Sequence, residues 1–143
     1  MKPCLADVNA VLPLLVRDHE FYRPAQRWFD RLDANEAGLC RHVQIGVIRL
    51  LGNRHIMGEL AMSASTAWRM LEQLLEDERI SFIQEPDLLD THLPAYLDVP
   101  VPASKLGSDA YLAAFAVASS RRMVTFDAGF RQFKGLDVEL LQR

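Results

Sequence analysis

Three aspartates stand where strongly apolar sequence meets polar sequence. Asp7 follows "PCLA", Asp109 leads into "AYLAAFAVA", and Asp127 follows "MVTF". A carboxylate at the margin of a buried segment costs free energy unless hydrogen bonds, a helix N-terminus or a cation compensate it. Each has an ordinary explanation: Asp7 in an Asx-turn, Asp109 in a helix cap, Asp127 opening a turn. Three at one edge of a fold repel one another, and a divalent cation relieves that repulsion. Hard oxygen ligands suit Mg2+ or Mn2+ with retained waters. A zinc site has no matching pattern: His19, His42, His55 and His92 are scattered, and no CxxC pair occurs.

The elements that must position these residues are legible in outline. Short apolar runs read as strands at 3–8, 37–40, 80–83, 123–126 and 137–141. Helical spacing covers 9–17, with Pro13 in or near the first turn, and 21–34, where Ala25, Trp28, Phe29 and Leu32 form one stripe. It covers 43–51 as well, although β-branched residues and Gly46 leave a strand open there. Residues 53–64 read as a connection, and 65–78 as a helix capped by Ser63 or Ser65. A short helix follows at 87–97, with Pro94, Pro100 and Pro102 as loop markers. The stretch 108–120 is the most apolar helix, with Ser108 as its expected N-cap, and 127–133 a short helical turn.

Strands alternating with helices predict an α/β fold: one domain over 1–143, a mainly parallel sheet of about five strands and helices on both faces. In such sheets ligands gather at the carboxyl ends of the strands. Asp7 and Asp127 fall there, and Asp109 opens the helix that leads into the fourth strand. Trp28, Phe29 and Trp68 read as packing residues, and His19 as a local hydrogen-bonding residue before the second helix.

Composition bounds the function. The chain has 143 residues, half of them apolar, and a net charge of -3. No apolar run approaches the ~18–20 residues of a membrane span, and Asp7 and Asn9 argue against a secretory leader. Cys4 and Cys40 read as buried free thiols in a reducing cytoplasm. The negative balance excludes general electrostatic attraction to nucleic acid, so any such site needs a local basic patch.

"LADVNA", "SDAYLAAFA" and "VTFDAGF", in that order, resemble the acidic motifs of PIN domains, most closely those of the VapC toxin ribonucleases of type II toxin–antitoxin pairs. "HEFYRPAQRWFD" is similar to the second helix of one VapC subgroup. The resemblance implies Mg2+- or Mn2+-dependent endonucleolytic hydrolysis of RNA by a metal-activated water. It implies Asp7 and Asp109 as principal catalytic metal ligands, with Asp127 completing the site. Asn9 and Thr125 match polar residues that orient carboxylates or water. PIN domains usually carry a glutamate where Gln44 stands, and that departure raises a competing reading: a PIN fold that binds RNA or protein with weak or no catalysis.

Arg41, Arg49, Arg54, Lys105 and Arg131 lie near the motifs in sequence and are the candidate RNA contacts. Arg121 and Arg122 read as a solvated turn at the opposite edge. Implied partners are a VapB-type antitoxin, the RNA substrate and a second copy in a homodimer, with no membrane association and a cytoplasmic location. "VQIGVIRLL" and "FYRPAQRWF" are the expected lining of the antitoxin groove. A haloacid-dehalogenase-like phosphatase, suggested by Asp7 ending the first strand, needs a second aspartate where Asn9 stands.

Overall fold

The computed structural model describes residues 2–143. Five strands form one sheet: β1 (Cys4–Ala6), β2 (Ala37–Leu39), β3 (Ile80–Phe82), β4 (Arg122–Thr125) and β5 (Val138–Leu140). Their order is β3-β2-β1-β4-β5, and every pairing is parallel. β1 and β2 are buried along their whole length, as strands sandwiched in an α/β fold must be. The α/β class and the parallel sheet therefore agree with expectation.

β1 is the strand at which chain order reverses, with β2 and β3 to one side and β4 and β5 to the other. The crevice beyond the carboxyl ends of strands at such a switch point is the natural ligand site. Register makes the placement specific. Ala6 lies opposite Val124, and the Asp7 N–H donates to the Val124 carbonyl at 3.0 Å. Asp7 thus leaves the sheet level with Thr125.

The helices are α1 (Val8–Leu15), α2 (Tyr22–Asp30), α3 (Arg41–Leu51), α4 (Arg54–Met57), α5 (Ala64–Leu74), α6 (Leu89–Leu97) and α7 (Ala103–Ala118). Residues 43–51 are helical because Val43, Val47 and Leu51 bury one stripe at helical spacing. Gly46 lets α3 approach α1: a Cβ there would lie 2.8 Å from Val8 Cγ2. Ser63 caps α5, its hydroxyl accepting from the Thr66 N–H.

Several local expectations change. Pro13 lies past the first turn of α1, buried, where it forgoes the bond to the Asn9 carbonyl. Pro94 is inside α6, not in a loop. Residues 53–64 are not a plain connection but hold α4 and a 3-10 turn, Gly58–Leu60. α7 starts at Ala103 behind Pro102, since Leu106 buries in its first turns, so Ser108 is an interior residue and not the cap. Trp28 and Phe29 are core residues as expected, but Trp68 is 39% exposed.

Arg121 and Arg122 are not a solvated turn. Arg121 Nη1 donates to the Cys4 carbonyl at 3.1 Å, and Arg122 pairs with Asp137 and Glu139 across β4 and β5. Cys4 and Cys40 are buried free thiols. Among the described residues, no helix is long and apolar enough to cross a membrane.

Candidate active site

Asp7 is fixed from both sides. It is the N-cap of α1, and its Oδ1 accepts from the Val8 N–H at 2.7 Å. Its Oδ2 accepts from the Thr125 hydroxyl at 2.8 Å. With only 8% of its surface exposed, its pKa is pushed up to about 6. Burial is the main cause; the two hydrogen bonds oppose it, and Asp109 and Asp127 add to it.

Thr125 is fully buried and joins three groups. Besides donating to Asp7, its Oγ1 accepts from the Asp127 N–H at 3.0 Å and from Asn9 Nδ2 at 3.2 Å. Asn9 Oδ1 accepts from the Phe126 N–H at 3.1 Å. Asn9 and Thr125 therefore tie the end of β1 to the chain leaving β4. Asp127 is exposed and caps the following 3-10 turn (Ala128–Gln132), its Oδ1 accepting from the Gly129 N–H at 2.8 Å. The turn role and closeness to Asp7 hold together, so neither excludes the other.

Asp109 sits within α7 and not at its start, so helix capping does not account for it. It lines a cleft of about 300 Å3 with Asp7, His42, Gly46, Arg49 and Ser108. Its pKa is raised, first by burial and then by Asp127, while His42 lowers it. The structure thus brings the three aspartates within one another's electrostatic reach.

Gln44 is placed elsewhere. On α3 the cleft-facing residues are His42, Ile45, Gly46 and Arg49. Gln44 is 2% exposed and borders a separate hollow with Trp68 and Leu71 of α5. Its Oε1 accepts from Arg41 Nη1 at 2.6 Å. It does not join the aspartates, which corrects the expectation that it orients them. The reason is helical phase: position 44 follows the Val43–Val47–Leu51 stripe into the interior.

Of the candidate RNA contacts, Arg49 lines the aspartate cleft and Arg41 lines the cleft beside it. Arg54, Lys105 and Arg131 are exposed and border neither. His42 was the residue missed. Its signal was periodic: His42, Ile45 and Arg49 repeat at helical spacing on the face opposite the apolar stripe. His19 accepts from the Phe21 N–H through Nδ1 at 2.9 Å, the local role expected of it.

Among the described residues, no three His, Cys, Asp or Glu side chains gather into a ready-made metal cluster. The donor set nevertheless suits a hard cation. Asp7 is a carboxylate whose proton affinity is raised first by burial and then by two neighbouring carboxylates, and a cation offsets that penalty on its charged form. A cation that keeps several waters asks for one or two direct carboxylates, not a closed cage.

Residues 4–136 match the PIN domain family. The chain is 35% identical over 144 residues to Ribonuclease VapC41 of Mycobacterium tuberculosis strain H37Rv, covering 97% of this chain and 99% of that protein. A DNA-bound VapBC from Salmonella typhimurium has the same fold, with a TM-score of 0.67 at 13% identity over 97% of this chain and 98% of that one. VapC20 of Mycobacterium tuberculosis, a sarcin–ricin loop cleaving toxin, gives 0.64 at 15% identity over 95% and 98%. The match over nearly the whole length, with the acidic positions converging at the switch point, makes this chain a member of the PIN-domain family, among the VapC proteins.

Proposed function

We propose that the chain is the toxin of a toxin–antitoxin pair and an endoribonuclease that hydrolyses RNA phosphodiesters, with Asp7, Asp109 and Asp127 holding Mg2+ or Mn2+. The observation that carries this reading is the convergence of Asp7 and Asp109 on one cleft at the switch point of a parallel sheet, with Asp127 tied to Asp7 through Thr125. Its VapC relative of 35% identity bears the name ribonuclease.

Bound there, held by the aspartates, a cation would supply Lewis acidity toward a phosphoryl oxygen and would lower the pKa of water, so that hydroxide is available as nucleophile near neutral pH. The chain's own groups do the positioning. Val8 N–H and the Thr125 hydroxyl fix the rotation of the Asp7 carboxylate. Asn9 and Thr125 hold the backbone of Phe126 and Asp127, setting where the Asp127 side chain starts. Arg49, on the cleft wall, meets a phosphate of the RNA. Buried Leu112 and half-buried Val8 line the rest of the cleft.

The partner we infer is a VapB-type antitoxin. Solved structures of the same fold include VapBC complexes from Salmonella typhimurium and from Rickettsia felis, the latter bound to a promoter DNA fragment. A homodimer belongs to the same proposal, as does a cytoplasmic location.

The competing reading, a PIN fold that binds without cutting, draws on the lack of a ready-made metal cluster among the described residues. Gln44 remains a motive for it, since position 44 supplies no carboxylate and its side chain is bonded to Arg41. Inducible expression of wild type and Asp7→Ala in a bacterial host, with mapping of new RNA 5′ ends, decides. New ends that require Asp7 are expected; identical end maps from both proteins discard the enzyme.

A further inference from the structure

A second cleft, of about 520 Å3, opens beside the aspartates and shares His42 and Ile45 with theirs. We propose that it holds an unstacked guanine of the RNA, next to the phosphate to be cut. This deepens the ribonuclease reading and rests on it.

The walls are aromatic and apolar, with Arg41 and Glu85 as the charged lining residues. Phe82 is 37% exposed and Ile45 48%, so both present apolar surface to the cleft. The His42 and Tyr111 rings meet at 5.4 Å, tilted by 57°. Splayed RNA bases stack on such side chains.

Arg41 is held before any ligand arrives. Its Nη1 donates to Gln44 Oε1, and its guanidinium carbon lies 4.6 Å from the Phe82 ring centroid. Glu85 is held too, its Oε1 accepting from the Tyr111 hydroxyl at 2.9 Å. Among the described residues, neither Arg41 nor Glu85 takes part in an ion pair. The cleft therefore offers a donor fork and a carboxylate with spare acceptor capacity, not spent on each other.

Guanine fits that pair. Its O6 and N7 are adjacent acceptors that match an arginine fork. Its N1–H and N2–H2 are adjacent donors that match a carboxylate. Adenine and uracil lack both doublets, and cytosine, whose N3 and O2 are adjacent acceptors, lacks the donor one. Gln44 gains a role as a positioning residue, because its carbonyl sets the direction of Arg41.

The test uses the full chain in EDTA and five-nucleotide single-stranded RNAs of uridine that differ only at the centre. Fluorescence anisotropy is expected to show the guanine-centred RNA bound about tenfold tighter than the other three. Glu85→Gln and Arg41→Ala, both at exposed positions, should each bring that preference below about threefold while circular dichroism stays unchanged. Equal affinities, preference for another base, or an unaltered guanine preference in both variants overturns the pocket. The 5′-end mapping with wild type and Asp7→Ala reads the other proposal separately. Guanine preference without new Asp7-dependent ends sinks the ribonuclease and keeps the pocket; such ends without guanine preference do the reverse.

Discussion

The Thr125 hydroxyl donates to Asp7 Oδ2 at 2.8 Å although 118 residues separate the two in sequence. The parallel register of β1 and β4 makes the contact, by setting Ala6 opposite Val124. Together with the Val8 N–H, that hydroxyl fixes the direction of the most buried carboxylate of the site.

Removing that hydroxyl should be felt in both stability and activity. Thr125→Val keeps the shape but leaves the Asp127 N–H and Asn9 without their acceptor. The expected loss is about 1–3 kcal/mol of stability by urea unfolding. Metal-dependent cleavage should fall about 10–100-fold, the usual effect of removing a residue that orients a metal ligand. Thr125→Ser should recover most of both; a Ser variant as poor as Val shows that the hydroxyl alone does not carry the effect.

Asp7 gives a pH dependence with a definite sign. Its pKa is raised from 3.8 to about 6, so folded chains keep a proton that unfolded chains release. The stability this lends is complete below the unfolded value and is lost as pH rises through about 6. Without metal, Asp7→Asn should therefore be more stable than wild type near pH 8, by about 1–2 kcal/mol after allowing for one weakened hydrogen bond. Near pH 4 the gain should vanish. Adding Mg2+ should raise the melting temperature of wild type and not of the variant. Thermal unfolding at the two pH values, with and without Mg2+, reads all of this; a gain of equal size at both pH values removes the charge from the explanation.

Asp127→Asn separates the ligand role from the turn role. The amide oxygen can still accept from the Gly129 N–H, so the 3-10 turn and the fold should survive. Cleavage at limiting Mg2+ should fall about tenfold or more and recover partly at high Mg2+. The Asp109 pKa should drop toward the usual carboxylate range, because Asp127 is one cause of its rise. A near-wild-type rate at limiting Mg2+, with Asp109 unmoved by carboxyl NMR, leaves Asp127 as a turn residue.

Gln44→Glu tests which way position 44 faces. Pointing away from the cleft and bonded to Arg41, a glutamate there should pair with Arg41 and leave Mg2+ affinity within about twofold of wild type. If calorimetry finds Mg2+ bound tenfold tighter, the side chain reaches the aspartates after all.

The class of fold was readable because its signals are local. "MVTF" and "AGLC" are short apolar runs, and the Val43–Val47–Leu51 spacing belongs to a helix, so elements and their alternation could be placed from neighbours in sequence. Boundaries were less readable. Ser108 looked like a cap because serine is a good one, but Leu106 had core to bury, and that tertiary gain extended α7 back to Pro102. Arg121 looked solvated because arginine usually is; only the packed sheet supplies the Cys4 carbonyl that holds it.

By itself the sequence determined the α/β alternation and the three acidic positions beside buried strands and helix, since hydrophobic periodicity and residue type are properties of the chain alone. Only the tertiary structure decided how those acids interact. The switch point at β1 and the β1–β4 register bring Asp7 to Thr125, and the turn of α3 gives His42 and Arg49 to the cleft while withholding Gln44. The physical reason is that burial and electrostatic coupling depend on distance in space. Asp7 acquires its raised pKa only when folding removes its water and sets Asp109 and Asp127 beside it.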